Sequence, residues 1–493
     1  MDEVNTVHGQ SDSSPRRIVL CFDGTGNQFH GNESDTNIVK IYQMLERHSP
    51  GQYHYYQPGI GTYIKGQGSS STRYNLIPKL RSAVLTTIDC MVGSTFQSHV
   101  LDGYRFVMRF YRPGDHIYIF GFSRGAYTAR FLAEMIHNIG LLSEGMDEMV
   151  HFAWDTFSNY QNAKANDPLT ERDRKLIEYM EKFKMTFCRP DVGIHFLGLF
   201  DCVNSVGQFE IPFYRTSYKV LANPPARYIR HAVSIHERRC KFKPALFILD
   251  DKDSPVDLKE VWFAGNHSDI GGGYALQEGQ KHLLSDTPLN WMLQEVLNLP
   301  GSESKLSFQT LNVNDVSKAE NKFPGKEKPG TDAFTLRKKT NQPHDTLAFG
   351  HGTSWLMVLC WWILETLPIF TRLELFRGKW IPRRLPPNLG APRDLPNDAV
   401  IHTSVRDMIR AGILDEDSIP ALGGDNPNIP NVANVAYTWK KLRRTAGQTS
   451  VLSDKASAVE KDLKNGLQKV NGLTNGFANG LNHSNLDPTH WLR

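Results

Sequence analysis

Cysteines are few in this chain, and no two of them form a C-x-x-C pair. Six stand in 493 residues, at positions 21, 90, 188, 202, 240 and 360. That spacing excludes zinc-finger ligand sets and a disulfide scaffold, and it fits free thiols in a reducing compartment. A surplus of either charge is also missing: 56 Lys and Arg face 52 Asp and Glu, a net of +4. A dedicated nucleic-acid binder carries a larger basic excess, so no nucleic-acid partner is expected. The longest apolar run, residues 355–364, is half of the ~20 residues a membrane crossing needs. Residues 1–17 are polar and hold no apolar stretch of the secretory kind, so a cytoplasmic location is expected. No G-x-x-x-x-G-K-[ST] segment occurs, which removes P-loop nucleotide binding.

Apolar residues, by contrast, are plentiful. They make up 40% of the chain against 22% charged, so a large core can form and global disorder is excluded. Nine Trp, 17 Tyr and 26 Phe suggest aromatic packing or a cleft for apolar ligands. Short apolar runs at 18–22, 53–56, 116–122, 194–200 and 261–263 read as strands. Helical patterns cover 77–112, 126–139, 146–163, 169–186 and 289–297, the last with Ser285 as cap and Pro288 near its start. Strands and helices in alternation predict an α/β fold with a mostly parallel sheet and helices on both faces. The expected organisation is a disordered leader (1–15), a catalytic domain of α/β-hydrolase type (16–310) with a helical cap near 140–190, a Trp/Pro-rich extension (311–440) and a low-complexity tail (441–493).

Two segments invite a membrane reading. The run 355–364 reads either as a buried helix or as a lipid-facing lip. Residues 371–394 follow it with six basic residues (Arg372, Arg377, Lys379, Arg383, Arg384, Arg393) against Glu374 and Asp394, a net of +4. An apolar lip with a basic flank suits peripheral membrane contact through 355–394, although a solvated loop can look the same. In the tail, apolar residues from Val459 to Leu481 recur at helical steps. Four glycines interrupt them at ~1 kcal/mol each, so a free helix should be marginal.

The residues that carry chemistry centre on Gly121-Phe122-Ser123-Arg124-Gly125. G-x-S-x-G is common by chance. Here it follows a predicted strand and opens a predicted helix, the context of a nucleophile elbow. Gly121 and Gly125 allow the sharp turn, and the helix start directs amides toward developing negative charge. A serine needs a base, and an α/β-hydrolase supplies acid and base in the order Ser, Asp, His. Asp201 ends the strand 194–200, and His267 follows the strand 261–263. Asp269 is a rival acid, more plausibly bonded to the turn Gly271–Gly273. His231, His236 and His402 are rival bases; the first two are placed near a helical stretch. The oxyanion donors expected are the Arg124 amide and an amide at Gly24 or Thr25, with Asp23 bracing that loop. A haloacid-dehalogenase reading of Asp23-Gly24-Thr25 fails because Cys21 stands where its nucleophile would be. A metal on His267 and Asp269 would lack a third ligand.

Six segments in order then resemble a known family. They are Val19-Leu20-Cys21-Phe22-Asp23-Gly24-Thr25-Gly26-Asn27, Tyr55-Tyr56-Gln57-Pro58-Gly59-Ile60-Gly61-Thr62, Gly121–Ala126, Phe196-Leu197-Gly198-Leu199-Phe200-Asp201, His231–Ile235, and Val261-Trp262-Phe263 with His267–Tyr274. Together they resemble the uncharacterised α/β-hydrolases related to the catalytic domain of type VI secretion phospholipase effectors, over roughly residues 16–298. The family often has Asp where this chain has His236. The resemblance implies a Ser-Asp-His triad acting on phospholipid or other carboxylic esters, and the roles fall on Ser123, Asp201 and His267.

The expectation is therefore a serine esterase or lipase that needs no metal or organic cofactor. A thioesterase, acyltransferase or peptidase could use the same triad. A catalytically idle interaction module is the alternative from another class. The sequence leaves the oligomeric state open.

Overall fold

The structure is a computed structural model. It describes residues 15–59, 93–164, 168–203, 225–247, 257–278, 280, 282–301, 305–309, 341–350, 353–368, 372–376 and 379–420. The leader up to residue 14, residues 77–92, the polar stretch 310–340 and the amphipathic tail lie outside these residues.

Seven parallel strands form one sheet in the order β11-β8-β7-β6-β3-β1-β2. They are β1 (Arg17–Phe22), β2 (Gln52–Gln57), β3 (His116–Phe122), β6 (Ile194–Phe200), β7 (Ala226–Ser234), β8 (Asp257–Phe263) and β11 (Val400–Ile401). Two strand pairs stand outside it: β4 (Leu141–Leu142) with β5 (Cys188–Arg189), and β9 (Arg372–Phe376) with β10 (Lys379–Arg383). The central strands are apolar throughout because both sheet faces are covered. Side chains alternate between the faces. Ile18, Leu20, Phe22, Ile117 and Ile119 join one core; Val19, Cys21, Tyr118, Phe120 and Phe122 join the other.

Helices α2 (Gly93–Phe110) and α3 (Arg124–Ile139) cover the first face. Helices α1 (Asn37–Met44) and α7 (Asp286–Leu297) cover the second. The cap segment forms α4 (Val150–Lys164) and α5 (Glu171–Phe187). Their buried residues, Phe157 and Met180 among them, extend the first core, and Phe131 of α3 packs on Trp154 and Phe157. This helical layer adds to the first face of the sheet.

Two features differ from the sequence reading, and a third excludes one of its two alternatives for residues 355–364. Residues 226–234 are a central strand, not a helical neighbourhood; their mixed polar pattern (Arg230, His231) hides it, because both side chains are buried with acidic partners. Helix α8 (Trp355–Thr366) is not buried: Trp355 is 69% exposed and Ile363 52%, while Glu365 is 1% exposed. The extension also joins the main fold. β11 pairs with β8, and α9 (Thr403–Arg410) packs Val405 and Met408 on Trp262 in a third core cluster. No helix among the described residues is long and apolar enough to cross a membrane. The described cysteines, at 21, 188, 202, 240 and 360, are unpaired.

Candidate active site

Parallel sheets place loops from several strands at their carboxyl edge, where ligands of α/β folds bind. The tips of β1, β3, β6 and β8 meet there. Ser123 follows β3 and precedes α3, with φ 59° and ψ −123°, a backbone that non-glycine residues rarely adopt. The flanking glycines permit it. A Cβ on Gly121 would lie 2.5 Å from Ala126 Cα, and one on Gly125 would lie 2.3 Å from Asp23 O.

Ser123 Oγ lies 2.7 Å from His267 Nε2, and His267 Nδ1 lies 2.5 Å from Asp201 Oδ2. All three residues are buried. His267 opens the short helix α6 (His267–Gly271), which Asn266 caps by accepting from Ser268 N and Asp269 N. The ring is held between Phe122 and Phe242, with centroids 4.8 and 4.7 Å away. Its backbone amide donates to Glu237 Oε2 at 3.2 Å. Asp201, at φ 41°, accepts from Ser234 N at 2.9 Å. It also accepts from Arg393, through Nη1 to Oδ1 at 2.6 Å and Nη2 to Oδ2 at 2.9 Å.

The electrostatics follow from burial and partners. Burial alone pushes the Asp201 carboxyl up, but Arg393 and His267 outweigh it and hold it well below the usual carboxylate range. Burial pulls His267 below 6.5 despite Asp201 and Glu237, so the imidazole is neutral at neutral pH. An ionised Asp201 accepts Nδ1–H, which leaves Nε2 to accept the serine proton. Burial also raises Glu237, yet Arg239 overrides it and leaves it at about 2. Burial lifts the Cys202 and Cys240 thiols to about 12, so neither is a ready nucleophile.

The other expected residues divide. Asp23 braces its loop, accepting from Gly24 N, Thr36 Oγ1 and Tyr56 Oη at 2.7–2.8 Å. The Gly24 amide is thereby engaged by a carboxylate, which corrects its expected place as an oxyanion donor. The Thr25 hydroxyl is buried with no hydrogen-bond partner among the described residues. Arg124 is the first residue of α3, directly after Ser123. Asp269 bonds back to Asn266 N and outward to His344 Nδ1 (2.9 and 2.7 Å), not to the glycine turn, and it does not approach the imidazole of His267 as the acid would. His231 bridges Cys202 N and Glu260, His236 accepts from Gly265 N, and His402 caps α9 while stacking on Phe263.

Arg393, Ser234, Glu237 and Phe242 were not anticipated. Arg393 was read as part of a surface basic run. Its contact with Asp201 spans 192 residues of chain, and nothing local announces it.

Residues 16–295 match the family of the T6SS phospholipase effector Tle1-like catalytic domain. The chain belongs to this family. Membership points to phospholipase or esterase activity. The Tle1-like region contains Ser123, Asp201 and His267 and stops short of Arg393. A further similar protein is the uncharacterized protein YEL023C of Saccharomyces cerevisiae, 28% identical over 579 aligned positions, 82% of this chain and 83% of the yeast protein. Among solved structures, the Tle1 effector bound to the VgrG spike of the Type 6 secretion system is 18% identical with a TM-score of 0.28. That match covers 53% of this chain and spans about half (51%) of the effector chain. An uncharacterized protein from Pseudomonas aeruginosa is 16% identical with a TM-score of 0.29, covering 89% of this chain and 68% of that one.

Proposed function

We propose that the protein is a serine hydrolase that cleaves acyl esters of phospholipids through Ser123, His267 and Asp201. The observation that carries this reading is the relay of 2.7 and 2.5 Å from Ser123 through His267 to Asp201. Ser123 Oγ attacks the acyl carbonyl while His267 Nε2 takes its proton. Asp201 orients the ring and stabilises the imidazolium. The negative oxygen of the tetrahedral intermediate is held by the Arg124 amide and by Thr25. His267 then returns the proton to the departing alcohol, leaving an acyl-serine. Water, deprotonated by the same nitrogen, releases the fatty acid and restores Ser123.

The lipid part of the reading draws on the family and on α8. This helix presents Trp355, Leu356, Met357, Leu359 and Ile363 to solvent. Its Trp361 packs on Phe242, which itself packs on His267. An apolar face one aromatic ring away from the base suits a helix seated in the lipid interface with the site beside it. Arg384, exposed on the following segment, adds attraction to anionic headgroups. On this reading residues 16–310 are the catalytic domain and 311–440 the lipid-facing extension.

The test is labelling with a fluorophosphonate, followed by peptide mapping. Labelling confined to Ser123 and lost in His267→Ala supports the reading. No label, or a label elsewhere, overturns it.

A further inference from the structure

Arg393 is buried completely, with 0% of its side chain exposed. Its guanidinium makes four bonds. Nη1 reaches Asp201 Oδ1 (2.6 Å) and Ser234 O (3.0 Å); Nη2 reaches Asp201 Oδ2 (2.9 Å) and Phe242 O. A buried ion pair is weak evidence for stability, because desolvation offsets the attraction. The geometry carries more information. A planar fork bonded to both carboxylate oxygens fixes the plane of the carboxylate. Oδ2 is thereby aimed at His267, and the bond to Phe242 O holds the residue whose ring flanks His267.

The arginine arrives on a braced loop. Glu365 of α8 accepts from Asn388 Nδ2 (2.5 Å), Gly390 N (3.2 Å) and Cys240 N (2.7 Å). Lys243 Nζ donates to Pro392 O at 3.1 Å.

We propose that Arg393 is a positioning residue for the Asp201–His267 pair, supplied by the C-terminal extension, so that the Tle1-like catalytic domain is incomplete without it. The inference rests on the serine-hydrolase reading. The guanidinium acts on Asp201 and touches no reacting atom. The charged or titratable groups around the pair are Glu237, Arg239, Cys202 and Arg393, with Lys243 beside Arg393. Glu237 is neutralised by Arg239 (2.8 Å), so Arg393 is the cation bonded to the acid. Removing a fixed cation makes proton uptake by the pair easier, and protonating the pair stops catalysis.

The experiment uses the full chain with a soluble short-chain ester from pH 5 to 9. Wild type, Ser123→Ala, Arg393→Met and Arg393→Lys are compared, with a melting curve for each. Arg393→Met should lower kcat about 100-fold at nearly constant KM, the scale of losing an outer partner of a reactive group. Its acid limb of kcat/KM should move to higher pH. Arg393→Lys keeps the charge and loses the fork, so kcat should fall about tenfold with the limb unmoved. A folded Arg393→Met with wild-type kcat and limb overturns the inference. If that variant melts below assay temperature, Arg393→Lys carries the test, and wild-type kcat in it overturns the inference. Turnover that survives Ser123→Ala overturns the underlying hydrolase reading instead.

Discussion

Ser123 holds a backbone conformation that costs of the order of 1–3 kcal/mol for a residue with a Cβ. Ser123→Gly relieves that strain and raises unfolded-state entropy by less, so it should be more stable than wild type by about 1 kcal/mol. Calorimetry checks this, and a lower melting temperature would contradict it. The same variant should lose ester turnover by about 10⁴-fold or more, as nucleophile removal does. Gly125 behaves oppositely. A methyl there meets backbone oxygens at 2.3 and 2.4 Å, so Gly125→Ala should damage both folding and turnover. On the proposed mechanism His267 sets the pH dependence. Burial depresses its pKa, so the active neutral form persists below 6.5 and falls off only at lower pH. A kcat/KM profile with its acid limb above 6.5 would contradict that assignment.

At the scale of elements, α8 is inverted relative to an ordinary surface helix. Trp355, Leu356, Met357, Leu359 and Ile363 face solvent, while Glu365 faces the protein beside the buried Val358. Glu365→Ala would leave the amides of Cys240 and Gly390 without their acceptor and leave Asn388 Nδ2 with Arg238 O alone, at a cost of about 1–3 kcal/mol. Urea denaturation measures it, and an unchanged midpoint would contradict the role given to Glu365. Leu359→Glu with Ile363→Glu touches only exposed positions. The pair should weaken sedimentation with anionic vesicles at least tenfold while leaving soluble-ester turnover intact; equal sedimentation would remove α8 as the contact. The elements that position Ser123 were legible in the sequence because β3, the turn and α3 are consecutive, and their pattern is local. β7 was not, because its buried Arg230 and His231 break the apolar run that marks a central strand. The basic stretch 371–394 misled for a related reason. Arg372 is buried against Glu374 and the Pro386 carbonyl, and Arg393 is buried against Asp201. Charge counted along the chain cannot tell a surface cation from one that answers a distant carboxylate.

Across the whole molecule, the described residues belong to one compact unit whose sheet the extension completes through β11. Its pH stability follows from buried titratable groups. Burial lowers His195, His236 and His402 to about 4 from 6.5. The unfolded chain binds those protons first, so stability falls as pH drops from about 6.5 toward 4. Asp23, raised by burial to about 6, and Glu134, raised by the same cause, oppose this over part of the window, while His54, His99, His137 and His267, all lowered by burial, reinforce it. Melting temperature should therefore decline between pH 7 and 4.5, and a flat profile would contradict the burial of these histidines. The order Ser123, Asp201, His267 and their edge of the sheet could be read in advance. The contribution of the extension could not, because it depends on a contact between residues far apart in the chain.

The most direct measurement is fatty-acid release from mixed phospholipid vesicles by wild type, Ser123→Ala and His267→Ala. The account predicts release by wild type alone, with each variant reduced by about 10⁴-fold or more. Release that persists without Ser123, or cleavage of a soluble ester with no release from vesicles, would contradict it: the first the nucleophile, the second the lipid substrate.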